Sequence, residues 1–299
     1  LFFMVLEALI PAEKVFQHPY LMLIEAFLIV SAGIIVSLLL FPRSASILSI
    51  ALVSLGTLPV IHLLFKAEEQ REEIKPGKAI SFLSRHFNLV KVYGWLFIGM
   101  ILCYSIWFVA LPLDARNSVF VEQNNALNQI SEIKANLTGQ IVSNEAIGNL
   151  CKNNDFASIF ECIFFNNATV LGLAILLSFA YGAGAILLIA WNASVIGVVI
   201  GQDVLSMIIV YGGTPLSVIP AYLHGLFNAI GFIPHGMPEI IAYFIGAIAG
   251  GIISVAITKK KIFTKAFENI SADVLVTIII AYTLLVIAAL IETFLILGF

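Results

Sequence analysis

The segment that organises the chain lies between Pro220 and Ile240 and reads PAYLHGLFNAIGFIPHGMPEI. This apolar stretch is interrupted by four polar or ionisable side chains, those of His224, Asn228, His235 and Glu239. Such groups at membrane depth cost several kcal/mol unless they are paired or face a cavity. We therefore interpret the segment as a candidate functional site and the rest of the chain as the frame that holds it.

Composition indicates an integral membrane protein. Of the 299 residues, 61% are hydrophobic and only 11% are charged, whereas soluble domains carry about 25% charged residues. The mean hydropathy is +1.05. The net charge of -3 gives no signal for nucleic-acid binding, because binding a polyanion needs clustered Lys and Arg on an accessible face. We expect membrane lipid around the protein and no nucleic-acid partner.

The hydrophobic pattern predicts an all-α, polytopic transmembrane helix bundle. A span needs about 20 apolar residues, and seven runs are long enough: Tyr20 to Leu40, Ser44 to Phe65, Val90 to Leu113, Phe164 to Trp191, Ser194 to Tyr211, Gly236 to Thr258 and Val274 to Gly298. The apolar run from Leu216 to Phe232 is interrupted by proline and glycine. We interpret it as a re-entrant or broken helix, and the short run from Leu1 to Ile10 as an interfacial helix.

Charge predicts the topology of a multi-pass protein in the cell membrane. Basic residues cluster in Lys66 to Arg85 and in Lys259 to Lys265, and such clusters mark the cytoplasmic side. The span that ends at Trp191 then ends on the cytoplasmic side, and the span from Gly236 begins on the outer side. An odd number of crossings must therefore lie between Trp191 and Gly236. We expect Ser194 to Tyr211 to cross and Leu216 to Phe232 to line a wet cavity, because non-helical backbone is tolerated there. The two roles swap if Ser194 to Tyr211 is the half-helix.

The spans divide the chain into three regions. Residues 1–113 form an N-terminal three-helix membrane region, 114–162 an extracytoplasmic polar loop or helical cap, and 163–299 a C-terminal membrane core. Cys151 and Cys162 lie on the outer loop, where a disulfide can form. Sequence alone leaves open whether the two are bridged.

The four polar side chains of the organising segment each permit two interpretations. His224 and Asn228 are four residues apart and share a helix face, where they either bind a metal or bond carbonyls freed by the helix break. His235 and Glu239 have the same spacing. Pro238 between them indicates a helix start, since a proline is tolerated in the first turn. That helix start presents free N–H groups to the cavity, or Glu239 merely caps it.

Glu292 completes a predicted metal site. At 1.5 Å per residue it lies about 28 Å along the last span, near the outer membrane face and at a depth similar to that of Glu239. His235, Glu239 and Glu292 then suit a divalent metal such as zinc, which activates water at an open coordination position. Alternatively, one carboxyl is protonated and bonds the other, joining two helices.

Other polar and small residues give secondary predictions. Asn166, Asn167 and Asn192 bracket the fourth span, with Asn192 capping the next helix. Glu25 and His62 are expected to form a structural pair. Small residues three apart, Gly197 with Gly201 and Gly246 with Gly250, predict close helix packing.

From about Phe160 onward, the sequence resembles the stage II sporulation protein M family. The resemblance rests on five features: Asn166-Asn167, Gly182-Ala-Gly184, Asn192 with Gly197, the box Ile233-Pro-His-Gly-Met-Pro-Glu-Ile240, and Ile287-Ala-Ala-Leu-Ile-Glu292. The motifs do not extend before Pro112. The resemblance implies a multi-helix membrane protein whose sporulation members act alongside peptidoglycan-degrading partners.

Three function classes follow, and the sequence does not decide whether the protein is an enzyme. The first is a membrane scaffold or assembly factor with a structural polar cluster. The second is a zinc-dependent intramembrane hydrolase in which His224 or Asn228 stabilises the oxyanion. The third is an ion or small-solute channel or transporter built on the broken helix. Other membrane or cell-envelope proteins and a second copy of the chain are the expected protein partners.

Overall fold

A computed structural model describes residues 12–74, 87–128, 155–181, 184–258 and 264–298. These residues are almost entirely helical and contain no strand, as predicted. The helices are α1 (Ala12–Gln17), α2 (Leu21–Leu40), α3 (Ala45–Ile74), α4 (Phe87–Ala110), α5 (Leu113–Val119), α6 (Phe156–Tyr181), α7 (Ile186–Val210), α8 (Val218–Ala229), α9 (Ile233–Thr258) and α10 (Lys265–Leu297). Residues 121–128 are also helical. Single 3-10 turns occupy Pro42–Ser44, Pro215–Ser217 and Ile230–Phe232.

The predicted number of spans is confirmed. Within the described residues, seven helices are long and apolar enough to cross a membrane: α2, α3, α4, α6, α7, α9 and α10. The 12 residues of α8 extend only about 18 Å and cannot cross. Because α7 is a full-length span, α8 is the short piece between crossings. Whether α8 enters the membrane stays a prediction.

The boundary between the fourth and fifth spans was predicted incorrectly. The expected span from Phe164 to Trp191 runs across a turn, since α6 ends at Tyr181 and α7 begins at Ile186. The turn depends on Gly184, where a Cβ would lie 2.5 Å from the Leu177 carbonyl oxygen. The Ala185 N–H donates to Ser178 Oγ at 3.3 Å and ties the turn to α6. The apolar residues on both sides hide this turn in the sequence.

Helices α2, α3, α4 and α7 form one packed group, in which glycines set the closest approaches. On α7, a Cβ at Gly197 would lie 2.7 Å from Tyr104 Cβ, and one at Gly201 2.7 Å from Phe108 Cδ1, both on α4. This confirms the close packing predicted from the Gly197 and Gly201 spacing. Helices α2 and α4 are also joined by a hydrogen bond of 3.0 Å from Trp107 Nε1 to Ser31 Oγ.

Helices α6, α9 and α10 form the second group. The backbones of α6 and α9 approach closely at Gly250, where a Cβ would lie 2.5 Å from the Ile175 carbonyl oxygen. This confirms the close helix packing predicted from the spacing of Gly246 and Gly250. The group contacts the first through Phe244 of α9, whose ring centroid lies 5.6 Å from that of Tyr93 and 5.7 Å from that of Phe97 on α4.

The expected pair between Glu25 and His62 does not form. Glu25 is 6% exposed and neither of its carboxylate oxygens has a hydrogen-bond partner. The His62 side chain on α3 is exposed. The predicted interfacial helix from Leu1 to Ile10 lies outside the described residues, as do most of the basic residues used for the topology.

Replacing Gly99 with alanine tests the close approach of α2 and α4. The new Cβ would lie 2.8 Å from Ala26 Cβ and 2.9 Å from Leu23 Cα, and backbone atoms cannot move aside cheaply. We expect Gly99→Ala to lower the free energy of unfolding by about 1–3 kcal/mol, measured by denaturant titration in detergent.

Gly94→Ala is the matched control on the same helix. No atom lies within 4 Å of a Cβ at position 94, so alanine should be neutral or stabilise by up to about 1 kcal/mol. Equal unfolding free energies for the two variants would show that α2 and α4 do not approach as described.

Candidate functional site: a polar cluster between three helices

The polar cluster consists of Asn167 on α6, with Glu239 and Tyr243 on α9. Asn167 Nδ2 donates to Glu239 Oε1 at 2.6 Å, and the Tyr243 hydroxyl donates to Asn167 Oδ1 at 3.2 Å. Asn167 and Tyr243 are each only 7% exposed. The single carboxamide of Asn167 therefore bonds two side chains of the neighbouring helix, one through its nitrogen and one through its oxygen.

The sequence places these groups together through helix periodicity. Glu239 and Tyr243 are four residues apart and share one face of α9. The same holds on α6 for Asn167 and Leu171, and Leu171 is fully buried against Gly246 of α9. The absence of a side chain at Gly246 lets α6 come close enough for Asn167 to reach Glu239.

Helix α10 brings a second carboxylate to the cluster. Glu292 lies close enough to Glu239 and Tyr243 to interact with both electrostatically. His235 lies one turn before Glu239 on α9 and is partly buried. The structure therefore brings the predicted residues Glu239 and Glu292 together between α9 and α10.

The predicted metal site has no further support from the geometry. Among the described residues, no group of three or more His, Cys, Asp or Glu side chains is arranged to hold a metal ion. Zinc binding by His235, Glu239 and Glu292 stays a prediction.

Asn167, which bonds Glu239, was expected near the start of a helix. It lies inside α6, which begins at Phe156. The sequence signal that could have identified Asn167 as a site residue is the pair Asn166-Asn167 inside an apolar run.

A second polar cluster joins α7 to α8. Asn228 Nδ2 donates to Asp203 Oδ2 at 3.0 Å, and His224 Nδ1 lies 3.3 Å from the same oxygen. Gly225 permits this contact, since a Cβ there would lie 3.0 Å from Val204 Cγ2. In the hydrolase hypothesis, His224 and Asn228 support the site formed by His235, Glu239 and Glu292. The structure places His224 and Asn228 in a different hydrogen-bond network from that of Glu239. Sequence reasoning missed Asp203, although it is the only acidic residue of the fifth span.

Two predictions about helix ends are wrong. Asn192 caps no helix, because α7 runs through it and its Nδ2 donates to the Leu188 carbonyl at 2.8 Å. Pro238 does not mark a helix start, because α9 begins at Ile233 and follows directly on the 3-10 turn Ile230–Phe232. The expected free helix start facing the cavity is therefore not present at this position.

The cysteines and the outer loop are only partly described. Cys162 is disulfide-bonded and Cys103 is free and buried. Cys151 lies outside the described residues, together with the middle of the predicted polar loop. The loop begins with α5 and the helical residues 121–128.

Fold and site together define a polytopic, all-α membrane protein with a buried polar cluster between three of its spans. The family model for stage II sporulation protein M matches residues 26–295. The chain therefore belongs to that family. The match also covers the first three spans, so the expectation that the resemblance begins only after Pro112 was too narrow. No curated protein and no solved structure matches the chain.

Asn167→Ala tests the polar cluster. The change removes the donor to Glu239 and the acceptor for Tyr243, so one partly buried and one buried group lose a partner. We expect the free energy of unfolding in detergent to fall by about 1–2 kcal/mol.

Asn166→Ala is the control, because Asn166 is exposed and only donates to Asn167 Oδ1 at 3.3 Å. We expect a change within about 0.5 kcal/mol. If the two alanine variants unfold alike, the Asn167 side chain does not join α6 to α9.

Proposed function

We propose that this chain is a membrane scaffold of the stage II sporulation protein M family, with the Asn167, Glu239 and Tyr243 cluster as a structural joint. The observation that carries the proposal is the 2.6 Å hydrogen bond from Asn167 to Glu239. The protein itself supplies a donor that this partly buried carboxylate needs. A carboxylate satisfied in this way stabilises helix association and does not require a ligand.

Helix α10 completes the joint. It packs along α9 and carries Glu292, which lies close enough to Glu239 to interact with it electrostatically. The polar cluster therefore lies where α6, α9 and α10 meet. We expect this junction to hold the three helices as one rigid unit.

A rigid three-helix unit is suited to presenting surfaces to other proteins. We propose that the partners are membrane or cell-envelope proteins, and the family resemblance suggests peptidoglycan-degrading enzymes among them. A second copy of the chain is another candidate. Exposed apolar side chains of the spans, such as Leu39 of α2 at 76% exposure and Leu176 of α6 at 60%, fit contact with membrane lipid.

A metal-dependent intramembrane hydrolase is the second candidate. Its support is the proximity of Glu239 and Glu292, with His235 one helical turn from Glu239. These three residues would hold zinc, and zinc would supply a Lewis acid for water activation. The channel or transporter remains a prediction from the broken helix, with no contact that favours it.

Glu239→Gln distinguishes the scaffold from the hydrolase. Glutamine keeps an oxygen that accepts from Asn167 and adds an N–H that can donate to Glu292. We expect its free energy of unfolding to stay within about 0.5 kcal/mol of wild type, whereas Glu239→Ala should lose about 1–2 kcal/mol. Both are measured by denaturant titration in detergent.

Bound metal is measured on the same preparations by elemental mass spectrometry, with His235→Ala as a further variant. The scaffold predicts substoichiometric metal throughout. About one equivalent of zinc in wild type, lost in Glu239→Gln and His235→Ala, would support the hydrolase and contradict the scaffold.

A further inference from the structure

An open pocket of about 440 Å³ lies at the membrane face where α4 ends. It is bounded by α5, the helical residues 121–128 and α7. Its polar lining includes Arg116, Asn117, Asn124 and Gln202, and its apolar lining includes Phe108 and Leu205. Among the described residues, the lining contains a guanidinium and several carboxamides but no carboxylate. This pocket is separate from both polar clusters described above.

Arg116 is held against the end of α4. Its Nη2 donates to the Leu111 carbonyl at 2.9 Å, and its Cζ lies 5.3 Å from the centroid of the Phe108 ring. Nε is buried and has no hydrogen-bond partner. In the described part of the chain, no carboxylate forms an ion pair with Arg116. A guanidinium that is fixed in an open pocket and has no ion pair with a described carboxylate is suited to an anion with several oxygens.

The neighbouring carboxamides are positioned by the packing of α4 on α7. Gly201 lets the Phe108 ring lie against the α7 backbone. The next residue, Gln202, lines the same pocket as Arg116. Gln202 Nε2 donates to Asn124 Oδ1 at 3.0 Å. This bond fixes the orientation of the Asn124 carboxamide and leaves its own amide hydrogens for another acceptor. Carboxamides of this kind bond hydroxyl and phosphate oxygens.

The position of the pocket indicates where the anion comes from. Phe108 is two residues from the end of the α4 span at Ala110, so the pocket lies at the depth of lipid headgroups. Leu113, also in the lining, is 64% exposed and provides an apolar surface beside the polar pocket. The positive-inside rule puts this face on the extracytoplasmic side, where a cationic residue is less common.

We propose that this pocket binds the headgroup of an anionic phospholipid, with Arg116 bonding the phosphodiester and the carboxamides bonding headgroup hydroxyls. A phosphoglycerol headgroup fits, because it carries one negative charge for one guanidinium and two hydroxyl groups. A headgroup with an ammonium group finds no carboxylate among the lining residues that the structure describes. The inference does not depend on the scaffold role, since it uses neither Asn167 nor Glu239.

The test uses the full chain in nanodiscs that contain equal amounts of phosphatidylglycerol and phosphatidylcholine. The protein is then extracted into detergent, and the lipids that remain bound are quantified by mass spectrometry. We expect wild type to retain phosphatidylglycerol preferentially and Arg116→Gln to reduce that retention about tenfold. Arg43→Gln is the matched control, because Arg43 is exposed, lies in the turn before α3 and does not line the pocket.

Gln202→Ala is the second variant and keeps the guanidinium in place should Arg116→Gln fail to fold. We expect a reduction in retained phosphatidylglycerol of about threefold, as for a lost neutral hydrogen bond. Retention equal to wild type in either folded pocket variant, or an equal loss in Arg43→Gln, would overturn the proposal.

A second arm separates the two sources of the phosphate group. Glycerol phosphate is titrated calorimetrically into the protein in pure phosphatidylcholine nanodiscs. Absence of binding, together with phosphatidylglycerol retention, assigns the pocket to lipid as proposed. Binding that Arg116→Gln abolishes, without preferential retention of phosphatidylglycerol, would replace the lipid with a soluble phosphate and overturn the assignment.

Discussion

No water is available in the hydrocarbon to hydrate a carboxylate, so burying one there is costly unless it finds a partner inside the protein. The hydrogen bond from Asn167 to Glu239 meets this requirement across the interface of α6 and α9. Both helices must keep their rotation and depth to maintain it. The packing of α10, which carries Glu292, is constrained by the same cluster.

The same constraint explains why the polar residues occur in separate clusters. Asp203 on α7 is satisfied by Asn228 and lies near His224 of α8, which holds the short helix against a full span. Glycines at the interfaces allow the backbones to approach, and the polar groups then fix which helix faces meet. A protein built in this way has a rigid interior, which is a property expected of a scaffold.

Much of the fold could be predicted from sequence, because long apolar runs report spans directly. The turn at Gly184 could not be predicted from sequence, because the residues on both sides are apolar. Only the packing of Gly184 against Leu177 reveals the turn. Glu239 and Glu292 were found because a carboxylate in an apolar helix is conspicuous. Asp203 and Asn167 were missed as partners, because a hydrogen bond between distant helices depends on tertiary packing.

The most direct test of the joint is a double-mutant cycle between Asn167 and Glu239, with each residue changed to alanine alone and together. Unfolding free energies are measured by denaturant titration of the detergent-solubilised protein. A direct hydrogen bond predicts a coupling energy of about 1–2 kcal/mol. Additive effects, with a coupling within about 0.3 kcal/mol of zero, would contradict the account of how α6 and α9 are joined.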